Sequence, residues 1–282
     1  MNLQPIGASR VDAVAGLLWE AAAHEDLTPD EILSCCYEQG GVVMASPDTD
    51  AVIAVGIGRD EGGELIASIR LVVVAPAQQR QKLADELFSY AEEWATERGA
   101  SRIVVGGGLP FSLWPGVAET SAVERVAQRR GYQFAQEWDA FSVSTGFRAE
   151  PPPEIRIRRA VHDADVMEVV LWASSVAPRR SDEIARAVEN GTCHGAFYQD
   201  EVVGVGCHSI TRAGWAEPIV VAEQWRRKGV GKALLGQICR DLMIAEFPDV
   251  VLANVRTEPA TAFLQSVEAK ATVRYRHYEK QL

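Results

Sequence analysis

Residues 217–235 read EPIVVAEQWRRKGVGKALL, and the reading of this stretch decides the fold. Ile219, Val220 and Val221 are branched at Cβ and favour an extended backbone. Further on, Val230, Leu234, Ile238 and Leu242 recur at every fourth position, the mark of the buried stripe of a helix. Between strand and helix lies Arg226-Arg227-Lys228-Gly229-Val230-Gly231. The first amides of a helix have no acceptor inside it and carry a partial positive charge, so an anion is stabilised there. Glycine lets a phosphate come close to those amides, and three cations beside them favour a diphosphate over a lone carboxylate. The stretch therefore reads as a strand, a diphosphate cradle and a helix.

Spacing separates the patterns that place phosphate on such a turn. A P-loop needs Ser or Thr after Gly231-Lys232, where the chain has Ala233, and Gly where it has Arg226. A dinucleotide fingerprint needs a third glycine where Leu234 stands. The run does resemble the acetyl-CoA loop of the GNAT superfamily of N-acetyltransferases, VxPxx(R/Q)xxGx(G/A)xxL. Val221, Arg226, Gly229, Gly231 and Leu234 match it, with Glu223 at the usual proline. The resemblance implies that acetyl-CoA, or another acyl-CoA, lays its pyrophosphate against Arg226, Arg227, Lys228, Gly229, Val230, Gly231 and Lys232. It further implies that the pantetheine arm pairs with the backbone of Ile219, Val220 and Val221.

Composition sets the frame. The chain has 282 residues, 47% hydrophobic and 24% charged, as in a globular protein with a sizeable core. No apolar run is long enough for a bilayer, and the first residues do not read as a signal peptide, so a cytoplasmic protein is expected. A formal net charge of -11 disfavours nucleic acid and acidic membranes as partners and favours a cationic acceptor. The five cysteines form no CxxC pair and read as reduced thiols. Cys193-His194 and Cys207-His208 invite a metal, but neighbours on a strand point to opposite faces, so no metal site is expected.

Glu150-Pro151-Pro152-Pro153-Glu154 reads as a linker. Around it the chain repeats itself faintly. Val52-Ile53-Ala54-Val55-Gly56 answers Val202-Val203-Gly204-Val205-Gly206, and Val74, Gln79, Ala84 and Leu87 answer Val221, Arg226, Gly231 and Leu234. The expected architecture is α/β (α+β): two tandem GNAT-like modules, 1–149 and 155–282, joined by 150–154, each a mixed, mostly antiparallel sheet flanked by helices. In the second, strands are expected at 155–159, 195–198, 202–211, 216–221, 250–255 and 271–279, with helices over 163–190, 229–245 and 259–267.

In the first module Lys82 replaces the first glycine of the loop, so weak cofactor binding or none is expected there. In the second, the resemblance implies attack of an amine on a thioester, which needs a route for the amine's proton. Glu217 lies near the usual distance for a base, or is a strand-end carboxylate. The family's acid is a tyrosine in a pattern like NPAxxFYxxxGF, and Leu264 stands in its place, with Glu258 at the asparagine and Glu268-Ala269 at the Gly-Phe. The first module has Ala127 at that tyrosine. Tyr275 or Tyr278 could supply the hydroxyl, or be packing aromatics, and His208 could relay protons. Trp114 could line a cleft or pack. The expected function is acetyl transfer to a small-molecule amine or a peptide N-terminus, by a monomer or homodimer. The alternatives are a non-catalytic acyl-CoA-binding or interaction protein and a sheet-edge dimer module.

Overall fold

The computed structural model of the protein describes residues 2–22, 25–38, 40–60, 62–76, 80–109 and 111–282. The chain forms two compact units, Met1–Trp138 with Arg274–Leu282, and Asp139–Val273. The units and the sequence modules 1–149 and 155–282 divide the chain at different points. Residues 139–149 belong to the second unit and 274–282 to the first.

The first unit contains β1 (Gln4–Pro5), α1 (Val11–Ala22), α2 (Pro29–Cys36), β2 (Gly41–Ala45), β3 (Ala51–Arg59), β4 (Leu65–Val74), α3 (Arg80–Glu97), β5 (Arg102–Val105), β6 (Val117–Ala118), α4 (Ala122–Arg129) and the start of β7 (Gln133–Ser144). Strands β1 to β4 pair antiparallel in sequence order, and β5 joins β4 in parallel. Strand β3 reads as an unbroken apolar run because helices cover both of its faces. Val52 and Ala54 meet Leu17, Leu18 and Ile32 of α1 and α2, whereas Ile53 and Val55 meet Leu87, Phe88 and Ala91 of α3. Helix α2 starts where its sequence says it should. Thr28 and Glu31 form a reciprocal capping box ahead of the first turn, and Pro29 opens the helix.

The second unit holds the rest of β7, then β8 (Ile155–Arg159), α5 (Asp163–Val176), α6 (Ser181–Glu189), β9 (Cys193–Tyr198), β10 (Glu201–His208), β11 (Ala216–Val221), α7 (Val230–Ile244), β12 (Asp249–Leu252), α8 (Glu258–Gln265) and the start of β13 (Lys270–Gln281). Four strands lie in the order β11-β10-β9-β8, all antiparallel. Val230, Leu234, Ile238 and Leu242 of α7 are all at most 2% exposed, as their four-residue spacing requires. Each such burial contributes about 1.5–3 kcal/mol. Helices α5 and α6 bury Val169, Ala173 and Ile184 with Val205 and Cys207 of the sheet.

The last strand returns to the first unit. Tyr278 to Gln281 of β13 run antiparallel to Val105 to Arg102 of β5, and Tyr275 and Arg276 pair with β6. Within the second unit, Val250 of β12 pairs with Val143 of β7. Each unit thus includes a strand segment drawn from the other half of the sequence. The architecture is the mixed, helix-flanked, two-module α/β fold that the sequence indicates, with the short strands β1 and β6 in addition. Strand β12 stops at Leu252, short of the expected 255, for a reason that lies in the site. Among the described residues no helix is long and apolar enough to cross a membrane.

Candidate active site at the start of helix α7

Strand β11 is an edge on one side. Beyond a single parallel bridge between Trp215 and Val251, it parts from β12. Ala222 N–H donates to Val203 O, which fixes the alternation along β11. Val220 then turns its backbone groups to β10, and Ile219 and Val221 turn theirs to the open side. Val221 O there accepts Arg226 Nε at 3.1 Å.

A 3-10 turn over Glu223–Trp225 leads into the cradle. Arg227 has φ 60° and Gly229 φ 91°, so the chain turns through two left-handed residues. A Cβ on Gly229 would meet nothing within 4 Å. The left-handed conformation, and not want of space, explains the glycine. The first helical bond runs from Ala233 N–H to Gly229 O at 3.0 Å. Among the described residues no protein group accepts from the amides of Val230, Gly231 or Lys232, and Arg226 to Gly229 are exposed. Three amides and a left-handed glycine fit a diphosphate. Lys228 Nζ lies 4.7 Å from the centroid of the Trp225 ring. Lys232, expected at the phosphate, donates Nζ to Ser266 O at 2.9 Å and so ties α7 to the end of α8.

Glu217 sits where the strands part. Its Oε1 accepts from the amides of Ala253 at 2.7 Å and Asn254 at 2.5 Å. Those amides follow directly on β12, which ends because a side chain takes the place of a neighbouring strand. The register of β11 slips here as well, since Gly206 faces Ile219 and His208 faces Ala216. Two residues, Glu217 and Pro218, oppose the single Cys207, which is a bulge. Burial raises the Glu217 carboxyl above its ordinary value, against the pull of Arg180 and the two amides.

Arg180 also reaches a residue that the sequence reading passed over. Its Nη2 is 3.6 Å from Glu217 Oε2, and its Nε is in ion-pair contact with Glu183 Oε2. That contact lacks hydrogen-bond direction, and both atoms are buried without a hydrogen-bond partner. Burial pushes the Glu183 carboxyl up to about 7, against the charge of Arg180 and with the help of Glu217 and Asp182. Glu183 is one of two acidic residues in the first turn of an ordinary amphipathic helix, so no motif singles it out.

The other candidates lie elsewhere. His194 and His208 share one face of the sheet and Cys193 and Cys207 the other, as strand alternation demands. Nε2 of His194 and of His208 lie 2.7 and 3.2 Å from Asp241 Oδ2, and Arg159 bonds the same oxygen. The three groups lie within 4.8 Å of one another, close enough for a metal. With a guanidinium on the shared oxygen, they form a hydrogen-bonded charge cluster. Burial raises the Asp241 carboxyl, but the two imidazole bonds and Arg159 outweigh it and hold the group well below the usual range.

Tyr275 is buried and pairs with Ala118 in the first unit, whereas the cradle belongs to the second. Tyr278 donates to Glu124 Oε1 at 2.9 Å in the first unit as well. Leu264, in the place of the family's tyrosine, is 1% exposed and packs in the core of the second unit.

In the first unit β4 and β5 also part after Ile69 and Val105, and a cavity of ≈ 570 Å³ opens between them. Val72, Val74, Ala84, Phe88 and Val105 line it, with Trp114, whose Nε1 donates to Glu25 at 2.8 Å. Lys82 projects into solvent. Gln79 lies outside the described residues.

A pair of parallel strands that part beside a helix occurs in both units. The profile of the Acetyltransferase (GNAT) family matches residues 11–109 and 160–266, and the chain belongs to that family. The fold is that of tandem members. A tandem GNAT protein from the clavulanic acid biosynthesis pathway superposes with a TM-score of 0.72 at 15% identity, over 99% of this chain and 98% of that one. A GCN5-related N-acetyltransferase from Sphaerobacter thermophilus gives 0.68 at 16% identity, over 99% and 95%. A glucosamine N-acetyltransferase region in a fungal multi-domain β-N-acetylglucosaminidase gives 0.76 at 17% identity. There the match takes in 99% of this chain but only 38% of the fungal one. No curated protein sequence matches the chain. The family is one of acetyltransferases, and its fold in general serves acetyl transfer.

Proposed function

We propose that the protein is an acetyl-CoA-dependent N-acetyltransferase that holds its acyl donor in the second unit. The observation that carries this reading is the start of α7, where the amides of Val230, Gly231 and Lys232 have no protein acceptor among the described residues and follow the exposed, left-handed Gly229. Bound there, acetyl-CoA supplies an activated thioester. Arg226, Arg227 and Lys228 flank the amides with positive charge, and Ile219 and Val221 offer backbone groups on the open edge of β11. A primary amine, as a small molecule or a peptide N-terminus, is the acceptor. Beside the split strands, Glu217 and Glu183 around Arg180 give the site a net negative charge when both are ionised, which favours a cationic acceptor.

Isothermal calorimetry with acetyl-CoA tests the reading, followed by thiol release with primary amines. Binding and release together support it. Absence of heat on folded protein overturns it. Leu264 favours a second reading, a non-catalytic acyl-CoA-binding protein, because leucine has no proton to give. Binding without thiol release would select it.

A further inference from the structure

We infer that Glu183, on the first turn of α6, takes the proton of the incoming ammonium, while Glu217 serves as the anchor of the split strands. This rests on the reading of the second unit as an acetyl-CoA-dependent transferase.

A proton acceptor needs an oxygen that is not already fixed by backbone amides. Glu217 Oε1 already receives two amides, and withdrawing it would leave both without a partner at the end of β12. Glu183 Oε2 is tied to no backbone amide: it is buried in an ion-pair contact 2.5 Å from Nε of Arg180, without hydrogen-bond direction, and the same guanidinium faces Glu217. Two carboxylates on one guanidinium carry one net negative charge, and a primary ammonium entering beside them balances it. The groups that face Glu183 are Arg180 from the preceding 3-10 turn, Asp182 on α6, Glu217 on β11 and Cys207 on β10. The Cys207 thiol is driven up by burial and stays neutral, so it does not compete for the proton. A carboxyl that titrates near neutrality takes a proton and returns it with little penalty in either direction.

The transfer balances as follows. The ammonium gives one proton to the Glu183 carboxylate. The nitrogen lone pair then forms the N–C bond to the thioester carbonyl carbon, the C–S bond breaks with its electron pair on sulfur, and the second nitrogen proton goes to that sulfur. Glu183 releases its proton to water, so the sum is one amide, one thiol and one proton.

The test uses the full-length protein with ethylamine, spermidine and diglycine as probes, and compares wild type with Glu183→Gln and Glu183→Asp. Carboxyl-labelled carbon-13 NMR of the acetyl-CoA-loaded protein is expected to show one glutamate titrating near pH 7, absent in Glu183→Gln. Titration of Glu183 in the ordinary carboxylate range overturns the inference. Thiol release is expected to fall about 10²–10⁴-fold in Glu183→Gln with loss of the limb near pH 7, and to return in part in Glu183→Asp. An unchanged rate and limb in Glu183→Gln overturn the assignment of Glu183 and leave the proposed function standing. If the wild type binds no acetyl-CoA, or binds it and releases no thiol with any probe, the proposed function falls and the inference with it.

Discussion

Arg70 and Glu217 stand at the same place in the two repeats, 217 − 70 = 147 residues apart, and carry opposite charge. Each lies at a bulge. Val55 faces Ile69 and Ala54 faces Leu71, which leaves Arg70 as the extra residue of β4, as Glu217 and Pro218 share one partner on β11. Each also fastens backbone outside the bulged pair of strands. Arg70 Nη1 donates to Cys35 O at 2.6 Å, and Glu217 accepts the amides of Ala253 and Asn254.

Glu217→Ala removes both acceptor contacts at once. An unsatisfied amide costs about 1–3 kcal/mol, so a half-buried pair is expected to lower stability by roughly 2–4 kcal/mol. Glu217→Gln keeps a carbonyl oxygen and loses about half as much. Urea denaturation measures the difference, and equal losses in the two variants would contradict the anchoring role.

Gly229→Glu places a charged side chain over the free amides and is expected to weaken acetyl-CoA binding more than 100-fold, by roughly 3 kcal/mol or more. A Cβ there meets nothing within 4 Å, so the stability loss comes only from the φ of 91° and amounts to about 1–2 kcal/mol. Lys82→Ala, on the solvent side of the first unit, leaves both measurements unchanged. Calorimetry and thermal melting report the two quantities separately.

Removal of 274–282 is expected to open the first unit. Tyr278 is 3% exposed in its core, and four residues of β13 pair with β5. Loss of the buried ring alone amounts to about 2–3 kcal/mol. Hydrogen exchange at 102–105 should rise sharply in the shortened chain, whereas unchanged protection there would mean that β5 finds another partner.

Stability should peak between two titrations. Glu183 has a folded pKa of about 7, above its ordinary ~4.3, so its contribution is complete below ~4.3 and is lost as pH rises towards 7. The size is on the order of 3–4 kcal/mol, from ~1.4 kcal/mol per pKa unit. Asp241 is held below its ordinary ~3.9, so its contribution is complete above that value and is lost as pH falls beneath it. Urea titrations across pH 3 to pH 8, an interval of about five units around these values, should show Glu183→Gln flattening the neutral side and Asp241→Asn the acid side. A neutral limb unaffected by Glu183→Gln would contradict this assignment.

Period and turn chemistry made most of the fold legible. The four-residue spacing in α7, the alternating faces of β3 and β10 and the paired glycines at 229 and 231 are local signals, and local signals survive in a single sequence. The cradle belongs to that class. What lay hidden depends on distant partners. Glu217 was visible as a carboxylate near the right place, but its hold on 253 and 254 depends on where β12 stops. Glu183 gains its character from burial beside Arg180, which no spacing encodes. The homes of β7 and β13 were hidden as well, because strand pattern tells which residues face a core and not which core they face.

The exchange of strands has a consequence for synthesis. On the ribosome the first unit emerges with β5 lacking the neighbour that β13 will provide, and it stays so until nearly all the other elements have been translated. An open sheet edge over that interval can pair with other nascent chains, so production in cells should depend on holding chaperones and on elongation speed more than the finished protein's stability would suggest.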